Sequence, residues 1–267
     1  MRRASMTIRL DSRHIHLWLS FCDTITETDL LARYRALLSE EERKQEGRFH
    51  FARDRHRYLV SRALLRTTLS RYVDAPAQLW TFTTNPYGKP AIANDDPCAR
   101  RLSFSLSHTT GLVVLGVAQD VALGVDAEDI HARTAPLEIA DRYFAPEEAA
   151  QLRALPLTEQ ALCFFQYWTL KEAYIKARGM GLSLSLDRLA FDLRQPQHID
   201  VTARPGLEDA PEDWRFWQFC ASSAHMISVC APRESSEPPD LLLRSVIPLV
   251  SEADVPASHI TARRHSK

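Results

Sequence analysis

One segment near the middle of the chain combines a carboxylate and two lysines with an apolar surrounding. Trp168, Glu172 and Lys176 stand at positions i, i+4 and i+8, so a helix brings all three to one face. Most other residues from Phe164 to Ile175 are apolar, so a charged pair here needs partners or loses free energy by desolvation. A metal ion and a phosphate would be such partners. The alternative is an ordinary surface pair at i, i+4 spacing.

Two further carboxylates follow an apolar strand pattern at residues 121–125. Asp126 and Glu128 are two residues apart, and in a strand this spacing points both side chains to the same face. Mg²⁺ prefers carboxylate ligands together with phosphate oxygens. The pair is therefore a candidate metal site, and the alternative is a strand that ends in a polar turn.

A third polar group, residues 105–109, ends a predicted strand before Gly111. Its hydroxyls, backbone N–H groups and the His108 imidazole could bind a phosphate, and the alternative is a polar hairpin. The sequence has no G-x-S-x-G around Ser107, which argues against an acyl-transfer triad. It also has no Walker loop and no G-x-G-x-x-G motif.

The composition is that of an ordinary globular protein: 267 residues, 45% hydrophobic and 25% charged, with a net charge of −1. This charge indicates neither nucleic acid nor a membrane as a partner. The five cysteines are odd in number and lack C-x-x-C spacing, which favours a reducing cytoplasm. The basic N-terminus is followed by no apolar signal segment, and no run is long enough to span a bilayer.

The periodicity predicts an α+β protein of two similar halves, residues 1–120 and 121–231. Each half is expected to combine helices with a small sheet. The main predicted elements are helices at 26–38, 54–72 and 159–177 and strands at 13–21, 102–106, 112–118, 121–126, 189–193, 214–219 and 226–230. Residues 232–267 hold five of the fifteen prolines and are predicted to be a mostly disordered tail, with an apolar stretch at 241–250 that could dock.

Taken together, residues 15–230 resemble the 4′-phosphopantetheinyl transferases of the surfactin-synthetase-activating (Sfp) type. The pair G-[IV]-D-x-E and W-[ST]-x-K-E-[AS]-x-x-K, in this order and spacing, is the most specific part. The matching segments are Gly88-Lys89-Pro90, Ser105-Leu106-Ser107-His108-Thr109, Gly124-Val125-Asp126-Ala127-Glu128, Phe144-Ala145-Pro146-Glu147-Glu148 and Trp168 to Lys176, with Arg48-Phe49 and Ala52-Arg53-Asp54 nearer the N-terminus.

The resemblance implies two α+β halves related by a pseudo-twofold, with coenzyme A in the cleft between them. It implies transfer of the 4′-phosphopantetheine arm of coenzyme A to a serine of an apo acyl or peptidyl carrier protein, with release of adenosine 3′,5′-bisphosphate. Mg²⁺ or Mn²⁺ would be required, and the protein would act as a monomer. Fatty-acid, polyketide and nonribosomal-peptide carriers all stay open, with secondary metabolism favoured.

The resemblance also implies roles for individual residues. Asp126, Glu128 and Glu172 would hold the metal, and Lys176 would contact the phosphates. The other coenzyme A contacts would be Arg53, Lys89, Pro90, Ser107 and His108. Glu172 and Glu148 are both candidates for the base that takes the serine proton, directly or through water.

The chain departs from its relatives at Ser105, where many carry Asn, and at Glu42 and Gln45, where the type member is basic. Residues 43–71 contain nine Arg or Lys, of which Arg55 and Arg62 are proposed to attract an acidic carrier. Apolar residues near Phe144 or Leu182 would form the apolar contact. Two alternatives remain: a non-catalytic module that binds coenzyme A or a carrier, and another Mg²⁺-dependent phosphoryl enzyme.

Overall fold

The computed structural model describes residues 7–131, 135–207 and 209–266. The helices and strands follow in chain order: β1 (His14–Phe21), α1 (Thr28–Leu37), α2 (Glu40–Gly47), α3 (Ala52–Leu69), β2 (Phe82–Thr84), β3 (Pro90–Ile92), α4 (Pro97–Arg100), β4 (Leu102–Thr109), β5 (Leu112–Gln119), β6 (Gly124–Asp129), α5 (Ala140–Tyr143), α6 (Pro146–Ala154), α7 (Leu157–Arg178), β7 (Leu189–Asp192), β8 (Asp200–Ala203), β9 (Trp214–Cys220), β10 (His225–Pro232), β11 (Asp240–Ile247), β12 (Ser251–Asp254) and β13 (Thr261–His265). The prediction of an α+β protein is confirmed.

The first compact unit contains residues up to Asn85, Pro90–Val121 and Pro239–Val255. Its five-stranded sheet has the order β12-β11-β1-β5-β4. Strand β5, which lies between β1 and β4, is apolar almost throughout and is buried from Leu112 to Ala118, as expected for a strand covered on both faces. α3 packs Leu59, Ala63 and Leu64 into the core against this sheet.

The second unit contains Pro86–Lys89, Ala122–Pro238 and the residues from Pro256 onward. Its main sheet has the order β13-β9-β10-β6, and every pair in it is antiparallel. The 22-residue helix α7 packs on β6 and β10. It ends at Gly179, whose φ of 68° is the left-handed conformation that glycine adopts without steric cost.

The structure corrects the expectation of a disordered tail. β11 lies parallel to β1 with His14 opposite Asp240, β12 pairs with β11, and β13 pairs with β9. These strands satisfy the open backbone edges of β1 and β9, and β11 buries Leu243 and Val246. The five prolines, at 232, 238, 239, 248 and 256, stand at strand ends or between strands, so their number did not indicate disorder.

None of the helices within the described ranges is both long and apolar enough to cross a membrane.

Candidate functional site

The site is built where β6 and α7 meet in the second unit. Gly124, the first residue of β6, lies against the backbone of α7: a Cβ atom added there would be 1.8 Å from the Ala173 carbonyl oxygen and 2.4 Å from the Ala177 nitrogen. Strand side chains alternate between faces, so Asp126 and Glu128 share the face that Gly124 turns toward the helix. The absent side chain at Gly124 therefore lets α7 approach the two carboxylates.

Asp126 and Lys176 form the central contact of this site. The Lys176 Nζ donates a hydrogen bond of 2.7 Å to Asp126 Oδ1. Asp126 is only 5% exposed, and Lys176 is half-buried near the end of α7. The two residues are 50 positions apart in the sequence, so this ion pair fixes the last turn of the helix to the strand.

Glu172 lies one turn before Lys176 and is also repelled by the negative charge of Asp126. Burial raises the pKa of Glu172 to about 7, and the negative charge of Asp126 adds to this effect while Lys176 opposes it. When both are ionised, the carboxylates of Glu172 and Asp126 therefore carry one negative charge more than the Lys176 ammonium neutralises. Glu128 follows on the same face of β6 and is half-buried.

The chemistry of this donor set fits a divalent cation. Carboxylate oxygens are hard ligands, and a bound Mg²⁺ would relieve the repulsion between Glu172 and Asp126. Within residues 7–131, 135–207 and 209–266, however, no three His, Cys, Asp or Glu side chains converge into a ready ligand cluster. Asp126 Oδ1 instead accepts a hydrogen bond from the Lys176 ammonium. This hydrogen bond would have to change if a metal ion were coordinated by the same oxygen.

Glu148, one of the two residues predicted as the base, lies in the interior of the second unit. Its side chain is fully enclosed and forms an ion pair of 2.8 Å with the Lys171 ammonium, which is also fully enclosed. The carboxylate accepts hydrogen bonds from the backbone N–H groups of Ala145, at 2.6 Å, and Phe191, at 2.8 Å. Glu148 therefore joins α6, α7 and β7, and its carboxylate is engaged with protein groups.

Lys171 was not assigned a role from the sequence. Its Nζ also donates to the carbonyl oxygens of Leu186, at 2.8 Å, and Leu189, at 2.6 Å. All three donors of the ammonium are thereby used. The signal available in the sequence was a second lysine in an apolar helix, which must find a buried partner.

We expect Glu148→Gln to affect stability rather than chemistry. The substitution leaves the buried Lys171 ammonium without its counter-ion, so the free energy of unfolding should fall by about 3 kcal/mol. Turnover per folded molecule should stay within about threefold, because Glu148 touches no reacting group by this assignment. Urea unfolding and steady-state rates below the melting transition measure the two effects.

The matched control is Glu147→Gln. Glu147 precedes Glu148 in the same helix but is exposed, where it pairs with Arg204. A surface pair of this kind contributes about 1 kcal/mol or less, so this variant should resemble the wild type. A large loss of turnover in fully folded Glu148→Gln would restore the residue to the reaction.

Lys89 lies in the second unit, and its ammonium forms hydrogen bonds with two backbone carbonyl groups. Its Nζ donates to the carbonyl oxygens of Ala177, at 3.0 Å, and Leu123, at 3.3 Å. Pro90 begins β3 in the first unit, where it pairs with Thr84. The family resemblance implied both residues as coenzyme A contacts, and the two carbonyl contacts of Lys89 were not anticipated.

The remaining predicted contacts lie in the first unit. Ser107 is buried in β4, on the sheet face opposite Phe104 and Leu106, and His108 is exposed near the end of the strand. Arg53 is exposed in the first turn of α3 and lies 5.4 Å from the Phe51 ring centroid. These three polar groups belong to two different elements of the unit.

Glu42, one of the departures from the family pattern, has a structural explanation. It is buried and accepts a 2.9 Å hydrogen bond from Arg66, and it also pairs with Arg62. With Ser39 it forms a capping box at the start of α2, which the S-x-x-E spacing could have predicted. Arg62 is therefore engaged inside the protein, which corrects its assignment as a carrier contact.

The apolar carrier contact is expected near Phe144, but Phe144 itself is not at the surface. This side chain is 1% exposed and packs against Phe164 and Tyr167, so it belongs to the core of the second unit. The side chain of Leu182, the other candidate, lies outside the described part of the structure.

Comparisons with known proteins cover most of the chain. Residues 122–230 match the family model of the 4′-phosphopantetheinyl transferase superfamily, and residues 26–120 match the model for 4′-phosphopantetheinyl transferase, N-terminal. Among relatives, a putative 4′-phosphopantetheinyl transferase of Synechocystis sp. is 30% identical over 73% of this chain and 83% of its own length.

Two further relatives agree. The 4′-phosphopantetheinyl transferase HetI of Nostoc sp. is 32% identical over 77% of this chain and 86% of its own length. The 4′-phosphopantetheinyl transferase Sfp of Bacillus subtilis is 32% identical over 74% of this chain and 84% of its own length. Each match is longer than either family segment alone, so the similarity is not confined to one motif.

Proposed function

This chain belongs to the 4′-phosphopantetheinyl transferase family, and from that premise we propose that it modifies a carrier-protein serine in a Mg²⁺-dependent reaction at the junction of β6 and α7. The observation that carries the proposal is the contact between Asp126 and Lys176 with Glu172 one helical turn away. The chain is thus a transferase, and the metal, the site residues and the choice of carrier are the proposed parts.

In the proposed reaction the carrier serine oxygen attacks the phosphorus that bears the pantetheine arm of coenzyme A. The new bond joins the serine oxygen to that phosphorus, and the bond to adenosine 3′,5′-bisphosphate breaks. The serine proton passes to a base. Because Glu148 is enclosed in an ion pair, Glu172 is the favoured base of the two carboxylates considered.

Each charged group has a proposed task. Asp126, Glu128 and Glu172 would hold Mg²⁺, which when bound supplies positive charge beside the pyrophosphate oxygens. Lys176 would contact those phosphates, since its ammonium is half-buried and already at the site. Arg53, Pro90, Ser107 and His108 would contact the rest of coenzyme A, a proposal that rests on the family pattern. The same pattern gives Lys89 as a contact, although its ammonium bonds two backbone carbonyls.

The test is the intact mass of an apo carrier protein after incubation with this protein, coenzyme A and Mg²⁺. We expect a gain equal to the phosphopantetheine arm, and no gain when EDTA removes the metal. Carriers of fatty-acid, polyketide and peptide synthesis should be compared, with the latter two favoured. No gain on any of them, with the protein folded, would favour a non-catalytic module that binds coenzyme A or a carrier.

The reaction is proposed to take place in the cytoplasm. All five cysteines are free thiols, and Cys22, Cys163 and Cys230 are buried. Free thiols in this number are typical of a reducing compartment.

The carrier is proposed to approach a basic surface on α2 and α3. Of the nine basic residues in 43–71, Lys44, Arg57, Arg62, Arg66 and Arg71 pair with carboxylates. The other four, Arg43, Arg48, Arg53 and Arg55, are exposed. Phe51 is 64% exposed among them and offers an apolar contact. Such a surface suits an acidic partner.

We expect Arg55→Glu to raise the carrier KM by about fivefold at low salt, with kcat unchanged. The effect should shrink at high salt because mobile ions screen exposed charges. Arg33→Glu on α1 is the control, since Arg33 is an exposed arginine of another helix. Equal carrier KM values for the two variants at low salt would reject this surface.

A further inference from the structure

The ammonium of Lys89 lies between the start of β6 and the last turn of α7. The four residues Pro86–Lys89 pack with the second unit, although the segments on either side of them belong to the first. The Lys89 Nζ bonds the carbonyl oxygens of Leu123 and Ala177. One of these oxygens directly precedes β6, and the other lies in the last turn of α7.

Both carbonyl groups are next to residues of the proposed site. Leu123 directly precedes Gly124, whose added Cβ would lie 2.4 Å from the Ala177 nitrogen. Ala177 directly follows Lys176, which holds Asp126 at 2.7 Å. The two hydrogen bonds of Lys89 therefore tie the strand to the helix beside the ion pair that anchors the site.

The surroundings of Lys89 show that its ammonium is drawn into the protein. Burial lowers the pKa of Lys89, and the neighbouring Cys230 opposes this. Cys230 is fully buried in β10 and pairs with Gly124 across the sheet. The ammonium also complements the negative end of the α7 dipole, where the last carbonyl groups lack helical partners.

We propose that Lys89 is a positioning residue of the transferase site, which fixes the last turn of α7 against β6 and so sets the distance from Glu172 and Lys176 to Asp126. This inference rests on the proposed function of those residues. It differs from the family-based proposal, in which Lys89 acts by touching coenzyme A. Loss of the ammonium should loosen the carboxylate set rather than weaken nucleotide binding.

The experiment compares Lys89→Met, Lys89→Gln and Lys89→Arg with the wild type. Mn²⁺ affinity is measured by electron paramagnetic resonance without coenzyme A, and kcat, the KM for coenzyme A and the melting temperature are measured separately. We expect Lys89→Met to lower Mn²⁺ affinity and kcat by about 10-fold each, as loss of an outer-shell partner does. The KM for coenzyme A should stay within about twofold, and Lys89→Arg should recover most of both losses.

Lys44→Met is the matched control. Lys44 is 65% exposed and pairs with Glu40 on α2, so its loss should change neither Mn²⁺ affinity nor kcat. If Lys89→Met does not fold, Lys89→Gln decides, since its amide retains one donor group for the two carbonyls.

Three results would overturn the proposal. An increased KM for coenzyme A with unchanged Mn²⁺ affinity would make Lys89 a nucleotide contact. A lower melting temperature with unchanged Mn²⁺ affinity and kcat in the folded fraction would make it merely structural. Absence of Mn²⁺ binding by the wild type would contradict the proposed metal site, and with it a positioning role for Lys89. Failure of the wild type to transfer phosphopantetheine would contradict the proposed function. The Mn²⁺ titration would still test the positioning role of Lys89 in that case.

Discussion

Glu172→Gln should lower the rate of phosphopantetheine transfer by about 100-fold or more, because it removes both a metal ligand and the proposed base. The amide oxygen is a weaker ligand than a carboxylate, and the amide cannot accept the serine proton. Mn²⁺ affinity, measured in the absence of carrier, should fall as well. The intact-mass assay run as a time course gives the rate.

The same substitution should leave the fold intact. The Glu172 carboxylate is partly buried beside Asp126, and both effects raise its pKa to about 7. A neutral amide removes that repulsion, so the metal-free protein should be no less stable at pH 8 than the wild type. Glu172→Gln is therefore expected to lower activity without lowering stability, whereas Glu148→Gln is expected to lower stability without a large change in activity.

Glu159→Gln provides the comparison. Glu159 lies in the first turn of the same helix and is exposed, so the identical chemical change should leave transfer near the wild-type rate. Near-normal turnover in Glu172→Gln would remove Glu172 from the proposed site and leave Asp126 and Glu128 to be tested as ligands.

The second large effect is expected for Gly124→Ala. The new methyl group would lie 1.8 Å from the Ala173 carbonyl oxygen, which is backbone and cannot rotate away. α7 must then move off β6 or the strand must bend, at a cost of about 3 kcal/mol in the free energy of unfolding. Transfer should fall by about 10-fold or more in molecules that still fold, because Asp126 separates from Glu172 and Lys176.

Gly47→Ala is a matched substitution with the opposite expectation. Gly47 ends α2, and a Cβ there would meet no atom within 4 Å. Alanine favours helix by up to about 1 kcal/mol over glycine, so this variant should be as stable as the wild type or more so. Thermal unfolding of both variants, followed by transfer assays at a temperature where both are folded, checks the pair. Equal stability of the two would mean that α7 and β6 do not approach as closely as described.

Much of the site could be predicted because its information is local in the sequence. A helix face repeats every three to four residues and a strand face every two, so spacing alone placed Glu172 with Lys176 and Asp126 with Glu128. The order of the two motifs also led to the family, which the comparisons confirm. The α+β class followed from the same periodicities.

The partners of charged groups could not be predicted in this way. Glu148 resembled Glu172 in the sequence, yet it is enclosed by Lys171, 23 positions away, while Glu172 stays beside Asp126. Arg62 resembled Arg55, yet Glu42 draws it into the protein. Spacing within one element does not reveal which element will pack against it.

Short-range periodicity and motif order were enough to predict the family, the two main elements of the site and the chemical types of its side chains. The folded structure was needed to show which carboxylate is buried in an ion pair, that Lys89 bonds Leu123 and Ala177, and that residues 240–265 complete two sheets. A buried charge or an open strand edge is satisfied by whichever group the folded chain brings within hydrogen-bonding distance, and that group is usually far away in sequence.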